Sequence, residues 1–258
     1  MRQFPFFYPV LLSILVISQL SAQMIRKDEK IRLGIGIAGL ASSQIDQMID
    51  EIEKATEQLG PGVTINPFKE AITYFFEYSH DLGETFAYQL NLQYSSGKKS
   101  NENRDLPAQT LQGMLFEYNI YELSIDLVYY LPLFNISTSQ TSLVIGAGPD
   151  LSYVETLSFY YLNQQPAFAQ SIKSKRNGGI AGGRVFAGWN IPYVESFSLQ
   201  LRAGYTYRPK KDLPAETEEV LINNNNSDRE KMDPAFFESF STYNLSQYWI
   251  TFSIAYRF

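Results

Sequence analysis

Residues 245–258 read LSQYWITFSIAYRF, and this C-terminal stretch sets the architecture that the rest of the chain follows. Its residues alternate between two faces, as in an extended strand, where successive side chains point to opposite sides. The apolar face consists of Tyr248, Ile250, Phe252, Ile254, Tyr256 and Phe258. The opposite face consists of Gln247, Trp249, Thr251, Ser253, Ala255 and Arg257. We therefore predict a long strand that ends on an aromatic residue and has one fully apolar face.

Seven earlier segments repeat the same two-residue alternation. They cover residues 31–39, 72–79, 85–94, 121–131, 142–153, 181–191 and 197–207. Together with the last strand they give an even number of strands, and the connections between them alternate strictly between long and short. Short turns on one side and long polar loops on the other are typical of an antiparallel outer-membrane β-barrel. The sequence therefore predicts an all-β, eight-stranded antiparallel transmembrane barrel.

The first long connection contains the one predicted helix, at residues 43–59. Its apolar positions recur at helical spacing, Ser43 is a suitable N-cap, and Gly60 followed by Pro61 ends the pattern. The opposite face of this helix is acidic. We expect the helix to pack on the rim of its own barrel, and binding to a partner is the alternative.

The chain has 258 residues, a net charge of −6, no cysteine and one histidine. Residues 1–22 have a basic start at Arg2, an apolar run at 10–17 and the small residues Ser21 and Ala22, which predicts a secretory signal peptide. That run is shorter than the ~20 residues a membrane-spanning helix needs. We therefore expect one mature domain, 23–258. The acidic balance argues against nucleic acid as a partner.

Alternation alone is equally compatible with a soluble barrel whose apolar face points inward. Three features favour a membrane barrel. The polar faces of the predicted strands carry no lysine, aromatic residues cluster toward strand ends, and several glycines lie on the polar face. Aromatic clusters at strand ends match the girdles at the two membrane interfaces, and glycines on the polar face give room inside a narrow lumen.

The last strand resembles the C-terminal strand by which the barrel-assembly machinery recognises its clients, with an assembly signal at the six apolar positions ending in Phe258. The mature chain as a whole resembles the small outer-membrane barrels of the OmpA/OmpX type, often called porin-family proteins. The resemblance implies a Gram-negative outer-membrane location, both termini in the periplasm, long extracellular loops, and contact with membrane lipid and the assembly machinery. The predicted helix in the first loop departs from the OmpA pattern.

Charged residues on the inward faces predict a network of ion pairs in the lumen. The set is Arg32, Glu77, Glu122, Asp126, Asp150, Arg184, Arg202 and Arg257. Eight strands enclose little more than their own side chains, and unpaired charges there are costly, so we expect arginine–carboxylate pairs. Asp150 and Arg184 stand at similar height on neighbouring strands and form the best-supported pair. A structural network is the main interpretation, and an ion pathway is the alternative.

Catalytic chemistry finds little support in the sequence. The single histidine, His80, lies in a predicted turn, and its neighbour Ser79 would point to the opposite face of a strand. Clusters of His or Cys at metal-ligand spacing are absent from the sequence, as are phosphate-binding glycine loops, so we expect no catalytic, metal or cofactor site. We predict a non-enzymatic surface barrel that either contributes to the integrity of the cell envelope or binds an extracellular partner through its loops. The alternatives are a small passive channel and a component of a secretion or assembly complex.

Overall fold

The computed structural model describes residues 29–41, 71–103, 110–136, 139–164, 168–194, 196–224 and 242–257. The strands are β1 (Glu29–Leu40), β2 (Ala71–Asp81), β3 (Phe86–Asn103), β4 (Thr110–Ile136), β5 (Ser139–Gln164), β6 (Phe168–Val194), β7 (Phe197–Tyr207), β8 (Lys211–Asp212), β9 (Ala215–Asn224), β10 (Thr242–Tyr243) and β11 (Gln247–Arg257). No helix among the described residues is long and apolar enough to cross a bilayer. The predicted signal peptide at 1–22 and the predicted helix at 43–59 lie outside the described residues.

Eight of these strands close into a ring, which confirms the predicted fold class. The order is β1, β2, β3, β4, β5, β6, β7 and β11, every neighbour is antiparallel, and β11 pairs back onto β1. The register of the strand pairs gives the shear number of the barrel. Starting at Tyr129 on β4 and stepping from each residue to its paired neighbour on the next strand, one circuit of the ring returns to β4 at Asn119, ten residues from the start. A shear of ten with eight strands tilts them by ~40° and gives a barrel radius of ~8 Å, so side chains fill the interior.

Two rows of aromatic residues encircle part of the outer surface. On four strands the rows are eight residues apart, at Tyr94 and Phe86, Tyr121 and Tyr129, Tyr205 and Phe197, and Tyr248 and Tyr256. Neighbours within each row are in ring contact, with centroid distances of 5.1 Å for Tyr94–Tyr121, 4.8 Å for Tyr205–Tyr248, 5.0 Å for Phe86–Tyr129 and 5.0 Å for Phe197–Tyr256. At the observed tilt the rows lie ~20 Å apart, close to the height of the apolar band of an outer-membrane barrel.

The surface between the two rows is apolar and faces outward. Leu33, Ile125 and Phe252 are each about half exposed or more. We call this band, bounded by the two aromatic rows, the belt. The end of the barrel below it, where Glu29 and Arg257 lie, is the terminal mouth. The opposite end is the capped mouth.

Several strands run far beyond the belt at the capped mouth. β4, β5 and β6 contain 27, 26 and 27 residues, and β9 adds to the edge of β6. The polar character of residues 96–110 and 154–177 predicts loops there, whereas residues 96–103, 154–164 and 168–177 are in paired strands. Those predictions were wrong because outside the belt the outward face needs no apolar residues, so the alternation weakens although the pairing continues.

The interior changes character along a single strand. On the inward face of β4, Glu122, Ser124 and Asp126 are buried inside the belt. Above the belt, the same face presents Phe116, Tyr118 and Ile120, each about 1% exposed. These apolar side chains belong to a core that also contains Val154, Ile180, Leu213, Tyr243, Leu245 and Trp249. The inward face of β4 therefore changes from polar at residues 122–126 to apolar at residues 116–120.

Candidate functional site

Glu77 lies at the centre of the lower charge cluster. Arg32 is its paired neighbour on β1 and forms a buried ion pair with it. Arg202 on β7 reaches the same carboxylate from the other side, with Nη1 2.6 Å from Oε2 and Nη2 3.2 Å from Oε1. Since β11 and β1 separate β7 from β2, this contact crosses the lumen. One carboxylate thus holds two guanidinium groups in the lower half of the lumen.

Glu122 has the same central position in the upper charge cluster. Arg184 Nη1 lies 2.8 Å from its Oε1, and Arg208 pairs with its Oε2. Arg184 Nε also approaches Asp126 Oδ2 at 3.3 Å, and Arg208 Nε approaches Asp150 Oδ2 at 3.5 Å. All five groups are buried. Buried charges of this kind are tolerated only when they are paired and hydrogen-bonded. Each of the five groups makes at least one hydrogen bond, but Arg184 Nε and one carboxylate oxygen each of Asp126 and Asp150 have no hydrogen-bond partner among the described residues.

Two aromatic rings, Phe186 and Trp249, separate the clusters. Their centroids are 5.9 Å apart, and the Arg184 guanidinium lies 4.9 Å from the Trp249 ring and 5.3 Å from the Phe186 ring. Arg202 of the lower cluster also lies over Phe186, with its guanidinium 4.8 Å from the ring centroid. Cation–π contacts therefore add to the ion pairs.

The inward glycines explain how these rings fit. A Cβ atom on Gly146 would lie 2.2 Å from the Phe186 ring, and one on Gly204 would lie 2.4 Å from the Trp249 ring. Both distances are far below van der Waals contact. Glycine is required at these two inward positions because any side chain would displace an aromatic ring.

The structure places seven of the eight predicted lumen residues in these two clusters. Arg257 is the exception, since it lies at the rim of the terminal mouth, 48% exposed, and pairs with Asp81 at 2.9 Å. It is the last residue of β11 and is paired with Lys30 on β1, so its side chain is at the edge of the barrel and not in the lumen. The predicted pair of Asp150 with Arg184 is also wrong, because Arg184 turns toward Glu122 and Asp126 while Asp150 faces Arg208.

Arg208 belongs to the upper charge cluster but is not among the predicted lumen residues. The predicted strand ends at residue 207, which leaves Arg208 as the first residue of the last long polar connection. Yet it continues the inward parity of β7, two positions beyond Thr206, and both residues are fully buried. Extending the two-residue alternation of β7 from Thr206 to the next inward position predicts that Arg208 faces the lumen. With Arg208 in place of Arg257, the lumen holds four arginines and four carboxylates.

Residues 208–214 and 242–246, which we call the cap, fold back into the mouth above the upper cluster. Arg208 Nη1 donates to the Leu245 carbonyl at 3.0 Å, and Arg176 Nη1 donates to the Leu213 carbonyl at 2.9 Å. The Tyr243 ring stacks on Phe116 with centroids 6.1 Å apart. Leu213 and Leu245 are fully buried among the apolar residues of the strands. The cap therefore closes the lumen with an apolar core.

His80 lies near the terminal mouth. Its Nδ1 is 3.9 Å from Glu29 Oε1, and its ring lies 5.2 Å from the Tyr88 ring. Neighbouring Ser79 is on the opposite, buried face of β2. Within the described ranges, no three His, Asp or Glu side chains are arranged to hold a metal ion. The geometry around His80 brings no nucleophile to the ring.

The closed ring, the outward apolar belt and the charged, filled lumen define a small eight-stranded outer-membrane β-barrel, the architecture of the OmpA/OmpX type. Neither a family model nor a curated protein matches the chain.

Three solved structures illustrate what the chain is similar to. Neisserial surface protein A is 10% identical over 90% of this chain and 97% of its own, with a TM-score of 0.41. Ail, the attachment invasion locus protein of Yersinia pestis, is 8% identical over 89% and 97%, with a TM-score of 0.37. The outer membrane protease OmpT from Escherichia coli is 10% identical over 89% and 96%, with a TM-score of 0.35. At these scores the likeness carries no argument about activity.

Proposed function

We propose that the protein is a non-enzymatic outer-membrane barrel whose plugged lumen is a rigid support for the segments beyond the belt, which bind an extracellular partner. The observation that carries this proposal is the double closure of the lumen. Two buried charge clusters fill it inside the belt, and the cap closes it above. A passive channel would require a continuous water path through both layers.

Conductance in a planar bilayer tests the closed lumen directly. The protein is refolded, its barrel is verified by heat-modifiable migration on a gel, and current is recorded across a range of salt concentrations. We expect silence at moderate voltage. Steady conductance that rises with salt would overturn the proposal and make the protein a small channel.

The orientation and the route of assembly are part of the same proposal. We place the terminal mouth in the periplasm, with residues 1–22 removed as a signal peptide. The assembly machinery would then recognise the outward residues of β11, of which Tyr248, Ile250, Phe252, Ile254 and Tyr256 face the lipid. Protease added to intact cells tests the orientation: cleavage within 225–241 is expected, and cleavage only after the envelope is opened would reverse it.

A deletion tests whether the last connection binds the partner. The buried anchors Leu213 and Leu245 must stay, because they complete the apolar core. We therefore delete residues 226–240 and expect heat-modifiable migration to be retained while adhesion of expressing cells to host-cell or matrix surfaces falls. Ail has been crystallised in complex with the heparin analogue sucrose octasulfate, which makes sulfated glycan a suitable first surface to test. Adhesion equal to that of the full chain would show that the last connection does not bind the partner.

A further inference from the structure

A polar cavity of about 380 Å³ opens at the terminal mouth. It lies below the lower charge cluster, with the Tyr130 side chain among its lining residues, and it is separate from the cap at the other end. Its volume falls at the lower end of the range of about 300–1,000 Å³ that is usual for small-molecule sites. We call it the vestibule.

One wall of the vestibule consists of neutral side chains. Ser142, Asn190 and Ser198 come from β5, β6 and β7, and Ser142 is the paired neighbour of Asn190. Among the described residues, none of these three side chains has a hydrogen-bond partner. Hydroxyl and amide groups both donate and accept hydrogen bonds, so this wall offers several unused donors and acceptors to a ligand.

The opposite wall carries charges that largely cancel. Lys30 Nζ lies 2.7 Å from Asp81 Oδ2, and Arg257 Nη2 reaches the same oxygen at 2.9 Å. Glu84 adds a second carboxylate to the lining. Two cations and two anions leave the vestibule without net charge, so it attracts neither anions nor cations strongly.

We propose that the vestibule binds a neutral, hydroxyl-rich ligand of the size of one or two sugar rings. A compact sugar presents many hydroxyl groups that donate and accept, which matches the neutral wall. It brings no charge that the opposite wall would have to neutralise. An anionic sugar would meet Asp81 and Glu84 as well as the two cations and would gain little from them.

An NMR titration of the full protein in phosphatidylcholine nanodiscs tests this proposal without sugar-based detergent. The probes are diacetylchitobiose, which is neutral, and glucuronic acid, which is anionic. We expect diacetylchitobiose to cause saturable shifts of the vestibule amides, with a Kd that does not change between low and high salt. Glucuronic acid should bind at least several-fold more weakly. Absence of saturable shifts, or tighter and salt-sensitive binding of glucuronic acid, would overturn the proposal.

Two variants on the same strand locate the site. Asn190→Ala removes an amide from the neutral wall, and we expect it to raise the Kd about ten-fold. Asn177→Ala is the matched control, since Asn177 lies on β6 above the belt, away from the vestibule, and its amide donates to Glu216 at 3.0 Å. Its Kd should equal that of the unmodified protein. Equal effects of the two substitutions would show that the sugar binds elsewhere and would overturn the assignment.

Discussion

The part of the barrel inside the belt and the part above it have opposite arrangements of polar and apolar residues. Inside the belt, Leu33 and Ile125 face outward and Glu77 and Asp126 face inward. Above the belt, Phe116 faces inward. The inversion occurs within the single strand β4, so neither strand geometry nor propensity causes it. What changes is the surrounding solvent, lipid at one level and water at the next.

Each of the two regions is therefore stabilised by a different interaction. In lipid, apolar outward side chains gain little from contact with one another, so specific ion pairs across the lumen hold opposite walls together. In water, burial of apolar area drives the packing of the cap, at ~25 cal/mol per Å². Substitutions should therefore have effects that depend on the region as well as on the residue type.

The largest effect is expected from Glu77→Gln. It leaves Arg32 and Arg202 buried without their shared carboxylate, which should cost about 3–5 kcal/mol of the free energy of unfolding. Urea unfolding in micelles measures the loss. Glu84→Gln, at the exposed turn of the terminal mouth, is the matched control and should change little. Similar stabilities for the two variants would contradict the importance of the lower charge cluster.

Leu245→Ala should be the next most costly change, at about 2–5 kcal/mol, because it opens a cavity in the core that closes the capped mouth. Leu33→Ala is its matched control inside the belt. Leu33 is 57% exposed, and lipid chains can fill the space left by its side chain. Unfolding of both variants under the same conditions compares the regions directly. A larger loss for Leu33→Ala than for Leu245→Ala would contradict the conclusion that apolar burial stabilises mainly the region above the belt.

Ile125→Arg introduces a charge in the middle of the belt, and we expect a loss of about 2–4 kcal/mol. Glu155→Arg places the same residue on the outward face of β5 above the belt, where water solvates it. The second variant should stay close to the unmodified protein in an unfolding titration in lipid vesicles. A large loss at 155 would mean that the belt extends higher than the upper aromatic row.

The smallest effect concerns the pair of Lys175 and Glu216, 2.8 Å apart above the belt. The hydrogen bond from Lys175 lowers the pKa of the Glu216 carboxyl, and the same contact raises the pKa of Lys175. Because the folded-state pKa of Glu216 is depressed, its contribution is complete above the usual carboxyl pKa and is lost as pH falls through the lowered value.

Amide exchange at the β6–β9 pairing measures that small contribution. We expect exchange there to become faster on acidification in the unmodified protein and to respond less to pH in Glu216→Gln. Lys175 contributes in the opposite direction, since its raised pKa means that its share is lost only at high pH. Identical exchange profiles for the two proteins across the acidic range would rule the pair out as a contributor.

The number and pairing of the strands inside the belt could be predicted because lipid outside and polar groups inside impose a strict two-residue period. The inward positions of Glu77 and Arg202 follow from the same period. Their partners could not be predicted, since Arg202 reaches across the lumen to a strand that is not its neighbour. Sequence spacing describes neighbours within a wall and carries no information about contacts across it.

The cap escaped prediction for a different reason. Leu213 and Tyr243 lie within the long polar connection before the last strand, and Leu245 begins the C-terminal stretch on the face that is polar at Gln247, so the sequence does not mark the three residues as one core. Their burial depends on Phe116 and Tyr118, which belong to a stretch that itself reads as the edge of a polar loop. These residues form a core only because the closed ring brings the cap next to the upper part of β4.

The pairing of β1 with β11 has a kinetic consequence. It joins Lys30 to Arg257, near the two ends of the described chain, whereas most other pairings are hairpins between consecutive strands. Hairpins can form early and locally, but closure must wait for the last strand and carries the largest loop-closure entropy. An open sheet edge is not stable in lipid, so closure and full insertion are coupled into one slow step. The rate of folding therefore depends on how soon the last strand finds the first.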